Sequence, residues 1–133
     1  MNLQRTADYL LRGVEEALKP AGLTPSQYNV LRILRGAGPD GLSCREIAER
    51  MLTRDPDMTR LLDRLEQRGL VSRARSTSDR RVVVTRITAS AMKLLASLDE
   101  PIEELHRKQL RHLGREGLKQ LTALLEEARA SSA

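Results

Sequence analysis

Met58-Thr59-Arg60-Leu61-Leu62-Asp63-Arg64-Leu65-Glu66-Gln67-Arg68-Gly69-Leu70-Val71-Ser72-Arg73 is the stretch that decides the reading of this chain. Met58, Leu61, Leu62 and Leu65 recur at i, i+3, i+4 and i+7, which places them in one buried stripe of an α-helix. On a 3.6-residue wheel Pro56, Thr59, Arg60, Asp63 and Gln67 fall on the opposite face, with Arg64 beside them. A residue before proline avoids helical dihedrals, so Asp55 reads as the N-cap and Pro56 as the first helical residue. Gly69 ends the helix. Two short strands are expected next, at about 70–75 and 81–87, the second supported by the β-branched run Val82-Val83-Val84-Thr85. Between them Ser76-Thr77-Ser78-Asp79-Arg80 has the composition of a polar turn.

This region also holds the charge. Nine arginines and no lysine lie between Arg54 and Arg86, against five acids, leaving +4 of the chain's formal +5. The remaining 100 residues are nearly neutral. A basic helix followed by a basic hairpin is the electrostatic footprint of a surface laid against nucleic-acid phosphate. The planar fork of arginine also suits guanine edges.

Working towards the N-terminus, Ser43 reads as the cap of a short helix reaching about Met51, with Glu46 closing a capping box and Leu42 stapled onto Ile47. Before it, Thr24 caps another helix, Pro25 suits its first position and Gln27 completes the box, with Leu23 stapled onto Tyr28. Gly36 and the Gly38-Pro39-Asp40-Gly41 turn stop that helix. Residues 2–19 form the first helix, its Leu3, Ala7, Leu10, Val14 and Ala17 making a heptad-like seam. After Thr88 everything reads as helix. Leu94, Leu95, Leu98, Ile102 and Leu105 form one stripe, Pro101 is expected to kink the helix or open a new one, and Gly114 breaks the pattern. Leu118, Leu121, Leu125 and Ala128 then form a last seam.

Composition narrows the partners. A chain of 133 residues fits one domain. Only Tyr9 and Tyr28 are aromatic, whereas proteins that grip single strands stack bases on rings, so duplex DNA is the expected partner. No apolar run approaches a membrane span, and Met1-Asn2-Leu3-Gln4-Arg5 lacks a signal-peptide core. A single cysteine excludes an intrachain disulfide, and a cytoplasmic location is expected.

Short helix, turn, amphipathic helix and basic hairpin follow one another in the order of a winged helix-turn-helix. A helix fits the major groove, and arginines on a hairpin reach phosphate or the minor groove. Residues 23–88 resemble the MarR family of regulators in an ordered series of motifs. These are Leu23-Thr24-Pro25-Ser26-Gln27-Tyr28-Asn29-Val30-Leu31, Glu46-Ile47-Ala48-Glu49-Arg50-Met51, Thr59 through Arg73, Asp79-Arg80-Arg81 and Ile87-Thr88. The chain departs from the family in its compactness and in Ala91, where a glycine is expected.

The resemblance implies a mainly α fold with a small β-hairpin wing, one domain over 1–133. Residues 2–20 and 88–130 would be dimerisation helices around a winged helix-turn-helix at 23–87, with the wing at about 70–87. It implies a homodimer bound to a pseudo-palindromic double-stranded operator, acting as a repressor relieved by a small-molecule effector. By the same resemblance Arg60 is the recognition-helix arginine, and Arg81 is the wing arginine in the minor groove, braced by Asp79. The expected DNA-contact set is Ser43, Arg54, Asp57, Thr59, Arg60, Arg64, Arg75, Asp79, Arg80 and Arg81. Asp57 and Thr59 either read bases or bracket the turn, and Asp63 reads as an ion-pair partner.

Other residues admit two readings. Cys44, at a helix start beside Arg45, is either a redox-sensing thiol or a small packing residue. Tyr9 and Tyr28 either line an effector pocket or pack in the core. His106 and His112 lack metal-ligand spacing, and neither a cofactor nor a metal is expected. The sequence holds no nucleophile–base pair and no Gly-rich phosphate loop, so an enzyme is not expected. A winged-helix module for protein contacts is the competing reading.

Overall fold

A computed structural model describes residues 1–130. Six helices and three strands follow in the order α1 (Asn2–Leu18), α2 (Pro25–Ala37), β1 (Leu42–Ser43), α3 (Cys44–Arg50), α4 (Met58–Gln67), β2 (Val71–Arg75), β3 (Val83–Ile87), α5 (Ala89–Leu110) and α6 (Gly114–Arg129). Single 3-10 turns at Lys19–Ala21 and Arg111–Leu113 link α1 to α2 and α5 to α6. The mainly helical architecture with a small winged sheet is the one expected.

The helix starts at Thr24 and Ser43 are built as the sequence indicated. Each side-chain oxygen accepts the N3 backbone N–H, from Gln27 and Glu46 respectively, and each N3 side chain accepts the cap's own N–H in return. The start of α4 differs. Asp57, not Asp55, is its N-cap and accepts from the Arg60 backbone N–H at 3.1 Å. Asp55 instead accepts from the Asp57 N–H at 2.8 Å, turning the chain two residues ahead of the helix. Pro56 therefore lies in the turn and not on the helix face. Two acids with near-identical capping chemistry compete here; the helix begins at Met58, the first residue of the buried stripe, which leaves the cap to Asp57.

Pro101 stays inside an unbroken α5. It lies on the exposed side, as does Ser97, whose carbonyl loses its helical donor and is open to water. A strand at Leu42–Ser43, absent from the sequence reading, completes the sheet in the order β1-β3-β2, all antiparallel. Two residues are too few for an alternation signal. Gly41 makes the pairing possible: its φ is +72°, and a Cβ there would collide with the Thr85 carbonyl oxygen on β3.

The core joins α2, α3, α4 and the sheet through Val30, Leu31, Leu34, Ile47, Leu62, Leu65 and Val71, and reaches Leu95, Leu98 and Ile102 of α5. Leu61, Leu62 and Leu65 are buried and Met58 half-buried, so the stripe read from α4 is the stripe that packs. Its other face is free. The terminal helices contrast with this. Leu18 is the one buried residue of α1, and none of the described residues of α6 is buried. Leu3, Leu11 and Leu124 are left facing solvent.

Candidate nucleic-acid interface

Burial of its leucine stripe fixes which face α4 turns outward. Thr59, Arg60, Arg64 and Gln67 are exposed along it. The loop before it is tied to α2, because the Leu52 N–H donates to Asn29 Oδ1 at 2.8 Å. Arg60 and Arg64 line one wall of a concavity whose other wall is the start of α2, at Thr24, Ser26 and Gln27. Arg54 lies in a second concavity between α3 and α4, beside Arg45 and Asp55. Ser43 caps α3 and Asp57 caps α4, so both have structural work at helix starts.

The wing is a closed hydrogen-bonded loop. The Ser76 N–H donates to the Val82 carbonyl at 2.8 Å, and the Val82 N–H donates to that of Asp79 at 3.0 Å. Asp79 braces Arg81 twice, accepting at Oδ1 from its backbone N–H (3.1 Å) and from its Nε (3.2 Å). The Arg81 guanidinium nevertheless projects into solvent, its side chain 92% exposed. Arg75 Nη1 donates to the Arg80 carbonyl at 2.8 Å, which stiffens the tip from the other strand. Arg80 itself is exposed.

The nine arginines thus divide. Arg73 holds Asp63 and Glu66 of α4. Arg68 donates to the carbonyls of Ala21 and Gly22, and Arg86 Nε to that of Pro39 at 3.2 Å. Those three are structural, a division the total charge concealed. The Arg73 hydrogen bond holds the Glu66 carboxyl below the usual carboxylate range. Sequence alternation carried a signal for this, since Asp63 and Glu66 at i, i+3 share the flank of α4 that meets β2. Asp63 is an ion-pair partner, as its type and place indicated. The side chains of Arg54, Arg60, Arg64 and Arg80 make no ion pair among the described residues and stay available.

A further pair joins two elements the sequence left unconnected. Arg35 on α2 grips Asp99 on α5 with Nη1 and Nη2, at 2.9 and 3.0 Å. This hydrogen bonding lowers the Asp99 carboxyl below its ordinary value.

Tyr9 and Tyr28 are not brought together. Tyr28 is buried, with the Arg32 guanidinium 5.8 Å above its ring, and burial pushes its phenol up from the ordinary value. Beside it a concavity between α2 and α5 is lined by Arg32, Asp99, Ile102, Glu103 and His106. Tyr9 is exposed and borders a different hollow, with Arg12, Leu105 and Gln109. Cys44 is exposed at the first position of α3. Among the described residues no cluster of three or more His, Cys, Asp or Glu has metal-binding geometry, and no helix is long and apolar enough to cross a membrane.

Residues 23–83 match the family model described as MarR family. The chain is 43% identical to a MarR transcription factor from Planctomyces limnophilus, whose crystal structure superposes with a TM-score of 0.73 over 93% of this chain and 90% of that one. It is 29% identical over 127 residues to the HTH-type transcriptional regulator FarR of Neisseria gonorrhoeae, covering 96% of this chain and 86% of FarR. A mutant MarR from E. coli, solved in complex with operator DNA, is 23% identical with a TM-score of 0.87, covering 96% of this chain and 90% of its own. At that identity the likeness concerns the fold.

Proposed function

The chain belongs to the MarR family of transcription regulators and is not an enzyme, and from that premise we propose that it is a homodimeric repressor binding a pseudo-palindromic double-stranded operator. The observation that carries this reading is the disposition of free guanidinium groups. Arg60 and Arg64 stand on the open face of α4, and Arg81 stands on a wing tip stiffened by Asp79 and Arg75. The acids that would repel phosphate from α4, Asp63 and Glu66, are both held by Arg73. Helix α4 enters the major groove, and the wing carries Arg81 to the adjacent minor groove. Arg54, Arg75 and Arg80 lie against phosphate. Ser43, Asp57 and Thr59 sit at the helix starts nearest the backbone, and Thr59 is the one free to meet a base. A mutant E. coli MarR of the same fold, solved in complex with operator DNA, supports duplex DNA as the partner.

Dimerisation is supported by the unburied α6 and the open leucines of α1, whose apolar seams need a partner. The concavity between α2 and α5 beside Tyr28 and His106 supports a small-molecule effector acting between lobe and terminal helices. The cytoplasm is the compartment where such a regulator meets DNA. Selection of bound fragments from the host genome, followed by titration across salt, tests the reading. A dimer neutralising about six or more phosphates loses affinity by roughly 10³-fold or more between 50 and 200 mM salt. A protein-interaction module gives no enriched palindrome and no such slope, and that result overturns the proposal.

A further inference from the structure

Helix α4 ends in an elbow that grips both connections between the winged lobe and the terminal helices. Arg68 is its C-cap residue. From there Nη1 donates to the Gly22 carbonyl oxygen at 2.7 Å and Nη2 to that of Ala21 at 3.0 Å. Those carbonyls belong to the connection between α1 and α2, 46 and 47 residues away in sequence. The next two residues hold the other connection: the Gly69 carbonyl accepts from Thr88 Oγ1 at 2.8 Å, and the Leu70 carbonyl accepts the Thr88 N–H at 3.2 Å. Thr88 is the N-cap of α5. Three consecutive residues therefore clasp both routes by which the lobe is tethered.

The local geometry is shaped for the first clasp. Gly22 has φ +66°, a left-handed conformation that favours glycine, and the turn it makes sits against the guanidinium. A planar fork on two adjacent carbonyls fixes an angle as well as a distance, which an ammonium does not. The site is exposed and water would satisfy both carbonyls, so the clasp contributes orientation far more than stability.

We propose that Arg68 is a positioning residue that sets the angle between the recognition helix and the terminal helices, and with it the spacing at which two lobes read their half-sites. The proposal rests on the dimeric DNA-binding reading above. Half-site spacing is fixed by the geometry of a dimer, so a swing at the elbow displaces α4 and the wing together. Arg68 acts through the backbone of the α1–α2 connection and makes no DNA contact.

The test uses the full chain, as wild type, Arg68→Ala and Arg68→Lys. Each is titrated against duplexes carrying the genome-selected half-sites at native spacing, at spacings one and two base pairs longer or shorter, and against a scrambled duplex. Arg68→Ala is expected to melt close to wild type, to bind scrambled DNA equally well, and to lose about tenfold at native spacing while losing little at altered ones. Arg68→Lys is expected to fall between. An unchanged spacing profile, or an equal loss on every duplex, overturns the proposal and makes Arg68 a phosphate contact or a plain structural cap. Should Arg68→Ala fail to fold, the profile of Arg68→Lys decides by the same criterion. If wild type itself shows no preference for two half-sites, the dimeric reading fails and this inference falls with it. A wild-type preference that neither variant alters sinks the inference alone.

Discussion

Arg73 on β2 reaches Glu66 on α4 through both Nε and Nη2, at 3.3 and 2.8 Å, and the same Nη2 bonds Asp63. One guanidinium thus fastens α4 to the first strand of the wing and offsets one of the two negative charges on its flank.

Arg73→Ala is accordingly expected to weaken DNA binding although the Arg73 guanidinium is engaged by Asp63 and Glu66. Two carboxylates become free to repel phosphate, and the wing loses its fixed angle to α4. Arg73→Ala with Glu66→Gln restores the net charge of the trio but not the strut, so it should recover part of the loss at low salt. Recovery of the whole loss would show that the strut contributes nothing beyond charge.

Much of this arrangement was legible in the residues. The α4 stripe, the two capping boxes and the Asp79–Arg81 brace each rest on spacings of two to four residues, which short-range geometry fixes. What was not legible depends on contacts made across the fold. Nothing local distinguishes Arg68, which clasps carbonyls 46 and 47 residues away, from Arg64, which stays free. The Arg35–Asp99 pair spans 64 residues, and β1 is a strand only because Gly41 lets it approach β3. The choice between Asp55 and Asp57 was local yet still missed, because the rule about the residue before proline outweighed the register of the buried stripe.

Arg60→Ala and Arg81→Ala separate base reading from phosphate contact. Arg60 is expected to cost about 1–3 kcal/mol on the selected operator and to relax discrimination at one position per half-site. Arg81 in a minor groove should lower affinity and reduce the salt slope by about 1, with the oligomeric state unchanged. Titrations against operator and scrambled DNA at several salt concentrations measure both. Equal losses for Arg60→Ala on the two duplexes would demote it to a phosphate contact.

The cap assignment has a direct consequence for stability. Asp57→Ala removes the acceptor of the Arg60 backbone N–H and should cost about 1 kcal/mol of unfolding free energy. Asp55→Ala removes only the turn bond to Asp57 and should cost less. Urea denaturation of the two variants compares them. A larger loss for Asp55→Ala would return the cap to the residue before the proline.

Asp99 ties stability to acidity. Its carboxyl is held below the ordinary value chiefly by the Arg35 hydrogen bonds, and Glu66 and Glu46 are lowered by bonds from Arg73 and Ser43. A carboxyl lowered in the folded state binds protons more readily once unfolded. Its contribution is therefore complete above the unfolded value, about 4, and is lost as pH falls through the folded one. The melting temperature should stay level from pH 7 to about 5 and drop below about 4. Asp99→Asn is expected to melt lower than wild type at pH 7, because an amide replaces the ionised partner of Arg35. The gap should close as the medium is acidified, since wild-type Asp99 then becomes neutral as well. Melting curves of both proteins between pH 3 and 7 decide the matter. A gap of constant size would mean that Asp99 supports the fold through packing and not through its charge on Arg35.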